Sequence, residues 1–355
     1  MNAPFLELTQ MQDGWNATFA FQVFHRPADE WLKMRWGFNA AALLDEAIDR
    51  QKLFIESQSI TEDEFRAGAL PNRTLALRGI NIPDTGLQIG LLGKTDAPSK
   101  EQAQQSGLRY AREIYSTFPH DFLIVPAKSQ EEYRQLAGEG LLTSKASVAQ
   151  IRRGLVSIFS TRYQYLTGFW QTGIRSNEQI WRALAAMPNP AMFNIILQPS
   201  ALFDNERQIL AEIKKRLAST EKDPSVIAVN IPWIENCIKR RLAAWKKNFI
   251  LQVHLVVEGE LDDNLPRSIG SALTRDTGDL PLPGSLVTGP ETETESQIWR
   301  EKIRRLEIIQ SSIHLDDLAD LDEAFAVFRF PYRPESGLPG ANFLELKKEP
   351  LPMRN

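Results

Sequence analysis

Cysteine and histidine are scarce in this chain, which has one cysteine and four histidines among 355 residues. The single cysteine, Cys237, cannot form an internal disulfide and fits a reducing compartment. The histidines lack the spacing to a second ligand that zinc sites show; they are His25, His120, His254 and His314. The sequence therefore predicts no disulfide, no metal site and no bound cofactor.

Long apolar runs and an excess of positive charge are also missing. No stretch reaches the roughly 18 uncharged apolar residues needed to span a bilayer, and Met1–Leu8 lacks the basic start of a signal peptide. The net charge of −4 provides no overall attraction for nucleic acid or anionic lipid. We therefore expect a cytoplasmic protein without a membrane span, in which any contact with DNA depends on a local patch.

The composition is that of a globular protein, with 43% hydrophobic and 24% charged residues. A chain of 355 residues exceeds one ordinary core, so domains of about 150 residues are expected. The predicted parts are an N-terminal domain at 1–145, a second domain at 146–318, and a C-terminal helix with a Pro/Gly-rich strap at 319–355.

Apolar periodicity indicates strands alternating with helices in the first predicted domain. A Pro-Asp-Thr-Gly turn separates two strand-like segments, which is typical of a hairpin. The predicted elements are a strand at 15–25, a helix from about residue 40, a hairpin at 75–92 that turns at 83–86, a helix capped by Ser99 and a strand at 122–125.

The second predicted domain has the same alternation. Its predicted elements are a hairpin-like region at 148–173, a helix to Met187 capped by Ser176, a strand at 193–198, helices at 205–218 and 233–247, a strand at 249–257 and a short helix at 266–273. Residues 279–293 are rich in proline and glycine and predict a loop. Two successive strand–helix blocks favour an α+β fold of split βαβ-like blocks, without a complete P-loop NTPase core.

The segment Leu87–Thr95 partly matches a phosphate-binding loop. Such a loop needs the pattern G-x-x-x-x-G-K-[ST], because its backbone N–H groups wrap the phosphates while the lysine reaches them. Gly93, Lys94 and Thr95 match the end of this pattern, but Gln88 stands where the first glycine belongs. One alternative for the chain is therefore a nucleotide-dependent enzyme with a degenerate phosphate loop, although no catalytic residue is predicted.

A basic helix face offers a second alternative, a DNA-binding adaptor. The candidate residues lie outside the apolar stripe of the helix at 233–247; they are Lys239, Arg240, Lys246 and Lys247. Such a face binds DNA phosphates or an acidic partner. Basic residues near a helix C-terminus also interact favourably with the helix dipole, so both interpretations stay open.

An acidic run follows His314 and includes Asp316, Asp317, Asp320 and Asp322. Acidic residues are common at solvated helix N-termini, where they complement the dipole. We therefore expect this run to be a solvated helix start and not a metal site.

The C-terminal stretch 320–340 has the clearest local pattern. Asp320 and Glu323 have the spacing of a capping box, and Pro331 and Pro334 end the helix. With the Phe-Arg-Phe-Pro and Gly-Leu-Pro-Gly motifs, the stretch resembles the segment that closes the N-terminal region of HerA/FtsK-type and conjugative-transfer ATPases. The segments 116–126, 181–190 and 195–200 also resemble this family, so the resemblance covers most of residues 100–340.

The resemblance implies a module that scaffolds or binds partners. In the family a P-loop ATPase domain follows this segment, whereas the present sequence ends at Asn355. We therefore expect a non-catalytic module that works with a separate P-loop ATPase subunit, with homo-oligomerisation implied by the rings of the family. The implied partner-binding residues are Arg329, Phe330, Pro331, Gly337, Leu338, Pro339 and Gly340.

Overall fold

An open antiparallel sheet of ten strands organises the chain in a computed structural model. The structure describes residues 3–25, 40–68, 70–83, 85–156, 166–171, 174–220, 231–244, 247–274, 284–309 and 313–331. The strands are β1 (Glu7–Met11), β2 (Gly14–His25), β3 (Arg73–Ile82), β4 (Gly86–Ala97), β5 (Phe122–Pro126), β6 (Ala146–Arg153), β7 (Leu155–Val156), β8 (Leu166–Thr167), β9 (Ala191–Ser200), β10 (Asn248–Glu258), β11 (Ser285–Thr288) and β12 (Leu318–Asp320).

Helices connect most of these strands. They are α1 (Ala40–Ser57), α2 (Glu62–Arg66), α3 (Lys100–Thr117), α4 (Gln130–Ala137), α5 (Ile174–Ala185), α6 (Asp204–Thr220), α7 (Ile231–Ala243), α8 (Asn264–Thr274), α9 (Glu293–Arg304), α10 (His314–Asp317) and α11 (Leu321–Val327). The α+β class and the hairpin of β3 and β4 are therefore confirmed.

The sheet contains two split βαβ units. Its main order is β1-β2-β4-β3-β9-β10-β6-β11, with β5 also paired to β2 and β12 to β10. In the first unit α3 connects β4 to β5 and β2 lies between them. In the second unit the chain passes from β6 through α5 to β9, and β10 lies between these two strands. The predicted split βαβ-like blocks are thus present.

The sheet runs without a break across the predicted domain boundary at residue 145. Strand β3 of the first block pairs with β9 of the second, from Leu75 opposite Leu197 to Asn81 opposite Ala191. The predicted boundary at residue 319 falls inside β12, which pairs with β10. The boundaries of the three predicted parts therefore do not coincide with an interruption of the sheet.

Helices cover both faces of the sheet. Along β10, Leu251 and Val253 belong to the main hydrophobic core with α3, α5, α8 and α11, whereas Val256 packs on the opposite face with Trp299 and Ile303 of α9. A strand that is covered on both faces is apolar throughout and does not alternate. This explains the nearly continuous apolar run of β10.

Two local predictions are wrong in part. The predicted loop at 279–293 contains strand β11, whose four residues pair with β6. Helix α5 begins at Ile174, so Ser176 lies inside the helix and does not cap it. Short strands and helix starts are decided by pairing and packing partners that the local sequence does not show.

Arg78 and His254 form a buried polar group between the sheet and the helices. Both side chains are fully buried. Arg78 donates to Asn194 Oδ1 at 2.8 Å and to the backbone carbonyls of Ala137 and Ile303, at the ends of α4 and α9. Carbonyls at helix C-termini carry partial negative charge, which compensates the guanidinium.

The buried imidazole of His254 predicts a specific pH dependence. Burial and the neighbouring Arg78 lower the pKa of His254 to about 3, whereas an unfolded histidine titrates near 6.5. Below pH 6.5 the unfolded state binds a proton that the folded state does not, so the protein loses about 1.4 kcal/mol of stability per pH unit through this residue. This loss continues until the pH approaches 3.

Urea denaturation of wild type and His254→Gln at pH 6.5, 5.5 and 4.5 measures this effect. We expect the stability difference between wild type and variant to shrink by about 1 to 1.4 kcal/mol per pH unit as the pH falls. The control His120→Gln, at an exposed position, retains His254 and should keep the wild-type slope. A difference that does not change with pH would show that His254 protonates equally well in the folded protein.

Candidate functional site

The predicted phosphate-loop residues lie in the interior of the sheet. Gly93, Lys94 and Thr95 belong to β4, between β2 and β3, and Gly93 pairs with Phe19 on one side and Leu75 on the other. A Cβ atom at Gly93 would approach the Phe19 ring to 2.2 Å, so the glycine serves close packing. Backbone N–H groups in an inner strand donate to the neighbouring strands, and this geometry does not favour a phosphate cradle.

The predicted basic face is partly neutralised inside the molecule. Arg240 donates to both carboxylate oxygens of Asp320, and Lys247 contacts Glu56 at 2.7 Å. Lys239 is exposed, and Lys246 lies outside the described residues. Because two of the four cations already bind carboxylates, the patch is less positive than the sequence suggests, and this arrangement does not favour a DNA interface.

Three of the four aspartates of the acidic run are buried, so the prediction of a solvated helix start is wrong for them, whereas Asp322 is exposed. Asp316, Asp317 and Asp320 are each less than 10% exposed. Arg152 lies 3.7 Å from Asp316 Oδ2 and 3.5 Å from Asp317 Oδ1. Among the described residues, no group of three acidic, histidine or cysteine side chains could hold a metal ion. Arginine partners that are distant in the sequence, Arg152 and Arg240, explain why these three aspartates are buried.

Glu323 is the centre of this ionic cluster. The capping box is confirmed, since Glu323 N–H donates to Asp320 Oδ1 at 2.9 Å and Asp320 N–H donates to Glu323 at 3.1 Å. The fully buried carboxylate also accepts from Arg153 at 2.6 Å and from Arg241 at 3.0 Å. Burial opposes its charge, but Arg241 and Arg153 outweigh burial and lower the pKa of Glu323 to about 2. The cluster fixes the start of α11.

The chain that follows α11 is held in place by aromatic packing. Phe330 is 1% exposed, and its ring centroid lies 5.0 Å from that of Phe118 and 5.3 Å from that of Phe122. Its N–H donates to Gln51 at 2.9 Å. Phe330 therefore belongs to the core and is not a surface contact, whereas the predicted binding residues at 337–340 lie outside the described part.

A pocket of about 370 Å³ opens beside α11. Its lining comes from four separate stretches of the chain and includes Lys52, Trp170, Gln171, Arg240, Asp322, Phe325, Ala326 and Arg329. The guanidinium of Arg329 lies 4.4 Å from the centre of the Phe325 ring. Arg329 was predicted to bind a partner, but nothing local in the sequence indicated Lys52 or Trp170 as its neighbours.

Arg329 is a buried cation that has no acidic partner among the described residues. It is 8% exposed, and its Nε and Nη1 atoms are buried without a hydrogen-bond acceptor. Burial lowers the pKa of its guanidinium to about 10, so the group is still charged at pH 7. Trp170 also lines the pocket, and its Nε1 is a buried donor without an acceptor.

The other charged groups of the pocket are paired. Lys52 forms an ion pair with Asp322 at 2.6 Å, and Arg240 forms a bidentate ion pair with Asp320. These two pairs cancel, and the charge of Arg329 remains. The described lining residues therefore carry one net positive charge and unsatisfied N–H donors, which are the features of a site for an anion.

Comparison with known protein families finds no match for this chain, and comparison with curated proteins finds no significant relative. The site must therefore be interpreted from its own geometry. None of the described helices is long and apolar enough to cross a membrane.

Proposed function

We propose that the chain is a non-catalytic module that binds a separate P-loop ATPase of the HerA/FtsK type. The pair would act in translocation, secretion, conjugation or defence, and the module would form homo-oligomers as the resemblance implies. The support is the resemblance of residues 320–340 to the segment that leads into the ATPase domain in that family.

The observation that carries the proposal is the fixed position of Asp320–Pro331. Arg240 and Arg241 hold the start of α11 through Asp320 and Glu323, and the aromatic cluster holds Phe330 at the other end. A segment that continues from a fixed point loses less conformational entropy when it binds a partner. Residues 337–340 are then the place at which contact with the ATPase is proposed.

Purification of the tagged chain from the organism that encodes it, followed by quantitative mass spectrometry, tests the proposal. We expect a P-loop ATPase of the HerA/FtsK type in near-stoichiometric amount. Leu338→Asp should reduce the recovered ATPase about tenfold, because it would place a charge in an apolar contact. The matched control Leu70→Asp, at a surface position that is 42% exposed, should recover as much ATPase as wild type.

Two results would contradict the proposal. The first is a wild-type chain that is recovered without any P-loop ATPase. The second is an ATPase that co-purifies equally with Leu338→Asp, because the contact would then lie elsewhere on the molecule.

A further inference from the structure

We propose that the pocket beside α11 binds a small organic monoanion, a carboxylate or a phosphodiester, through Arg329 and Trp170. This inference is independent of the proposed ATPase partner, because it depends only on described residues and concerns a small molecule. The pocket volume of about 370 Å³ lies at the lower end of the range for small-molecule sites.

The unsatisfied donors determine the chemistry of the ligand. Nε and Nη1 of Arg329 and Nε1 of Trp170 are buried N–H groups without acceptors. Buried polar groups in folded proteins are nearly always hydrogen-bonded, and an orphaned donor costs free energy. Carboxylate and phosphate oxygens are acceptors that fit a guanidinium.

The charges of the pocket residues determine how many negative charges the ligand carries. Asp322 is the carboxylate among the described lining residues, and its charge is matched by Lys52. The charge of Arg240 is matched by Asp320. Only Arg329 is left without an opposite charge among the described residues, so a ligand with one negative charge neutralises the pocket. A dianion would leave an uncompensated charge.

The pocket walls favour an organic ligand over a simple ion. Phe325 and Ala326 contribute apolar surface, and the ring of Trp170 is largely buried. A ligand with a compact apolar part would bury this surface, while its anionic end reaches the donors. Benzoate and dimethyl phosphate represent the two possible anionic groups, and benzamide is a neutral analogue of benzoate.

If Arg329 served only to stabilise the fold, replacing it would lower the melting temperature. The Arg329 guanidinium stacks on Phe325 but is desolvated without an acidic partner, and this arrangement opposes folding. Replacement by methionine keeps the apolar contact and removes the buried charge. We therefore expect Arg329→Met to melt at the same temperature as wild type or higher, while its anion binding is lost.

The experiment titrates the full chain with each probe in low-chloride buffer and follows binding by ligand-observed NMR. Wild type is expected to bind benzoate or dimethyl phosphate, and the preferred probe identifies the anionic group. Benzamide should bind at least about tenfold more weakly than benzoate, and Arg329→Met should weaken anion binding by at least the same factor. The control Arg66→Gln removes an exposed arginine and should bind as wild type does.

Trp170→Phe keeps an aromatic ring and removes the second donor. It should bind the anion several-fold more weakly, and it provides the test if Arg329→Met does not fold. The proposal is overturned if neither anion binds wild type at 20 mM or below, if benzamide binds as well as benzoate, or if the folded variants bind the anion as wild type does.

Discussion

Glu323→Ala should lower the free energy of unfolding by about 3 to 5 kcal/mol, because it leaves two buried arginines without their carboxylate. Arg153 and Arg241 are each less than 4% exposed and both contact the Glu323 carboxylate. The backbone N–H of Trp170 also loses an acceptor. Equilibrium urea denaturation at pH 7 measures the change.

A triple variant separates the cost of a broken cluster from the net value of the intact one. Replacing Arg153 and Arg241 with methionine together with Glu323→Leu removes all three charges while keeping similar volume. Buried ion clusters are often exchanged for apolar residues without loss, so this variant should lie within about 2 kcal/mol of wild type. A Glu323→Ala variant that loses less than about 1 kcal/mol would mean that the arginines find other partners or water.

The pH dependence of this cluster has a definite sign. The pKa of Glu323 is lowered to about 2 in the folded state from 4.5 in the unfolded chain. The stabilisation is therefore fully present above pH 4.5 and is lost as the pH falls towards 2. The stability of wild type should accordingly fall relative to that of the triple variant in this range, because only wild type contains this carboxylate.

Phe330→Ala should be similarly damaging, with an expected loss of about 3 to 5 kcal/mol from the lost apolar burial and the cavity that remains. The ring is 1% exposed and packs against Phe54, Phe118 and Phe122. Thermal and urea denaturation measure the loss. Tyr115→Ala, at a site on α3 that is 45% exposed, is the control and should change stability by about 0.5 kcal/mol or less.

A stable Phe330→Ala variant would contradict the core position of this residue. The result also matters for any binding experiment, since reduced partner binding by this variant would reflect loss of structure. Substitutions at residues 337–340 are therefore better probes of the proposed contact.

The local sequence predicts much of the secondary structure. The capping box of Asp320 and Glu323, the helix cap at Ser99 and the turn of the β3–β4 hairpin are set by residues close together in the chain. Such features depend on short-range hydrogen bonds and turn geometry, so the residue types alone indicate them.

The sheet order and the pocket depend on contacts that no local pattern contains. Pairing of β3 with β9 is one of many possible pairings of apolar strands. Asp316 and Asp317 are buried because Arg152, about 165 positions earlier in the sequence, lies beside them, and no local pattern contains this contact. Arg329 was a candidate from the motif, but its missing counter-charge is visible only in three dimensions.

The late position of β12, α11 and Phe330 in the sequence affects how the chain folds during synthesis. Strand β12 pairs with β10. The backbone N–H of Phe330 donates a hydrogen bond to Gln51, which precedes it by 279 residues. A nascent chain that has not yet been synthesised beyond residue 330 exposes the apolar surface around Phe118 and Phe122. Contacts between residues so far apart in sequence form slowly, and the exposed surface in the meantime promotes aggregation. The same segment that is proposed to lead to the partner thus also covers the apolar surface around Phe118 and Phe122 during folding.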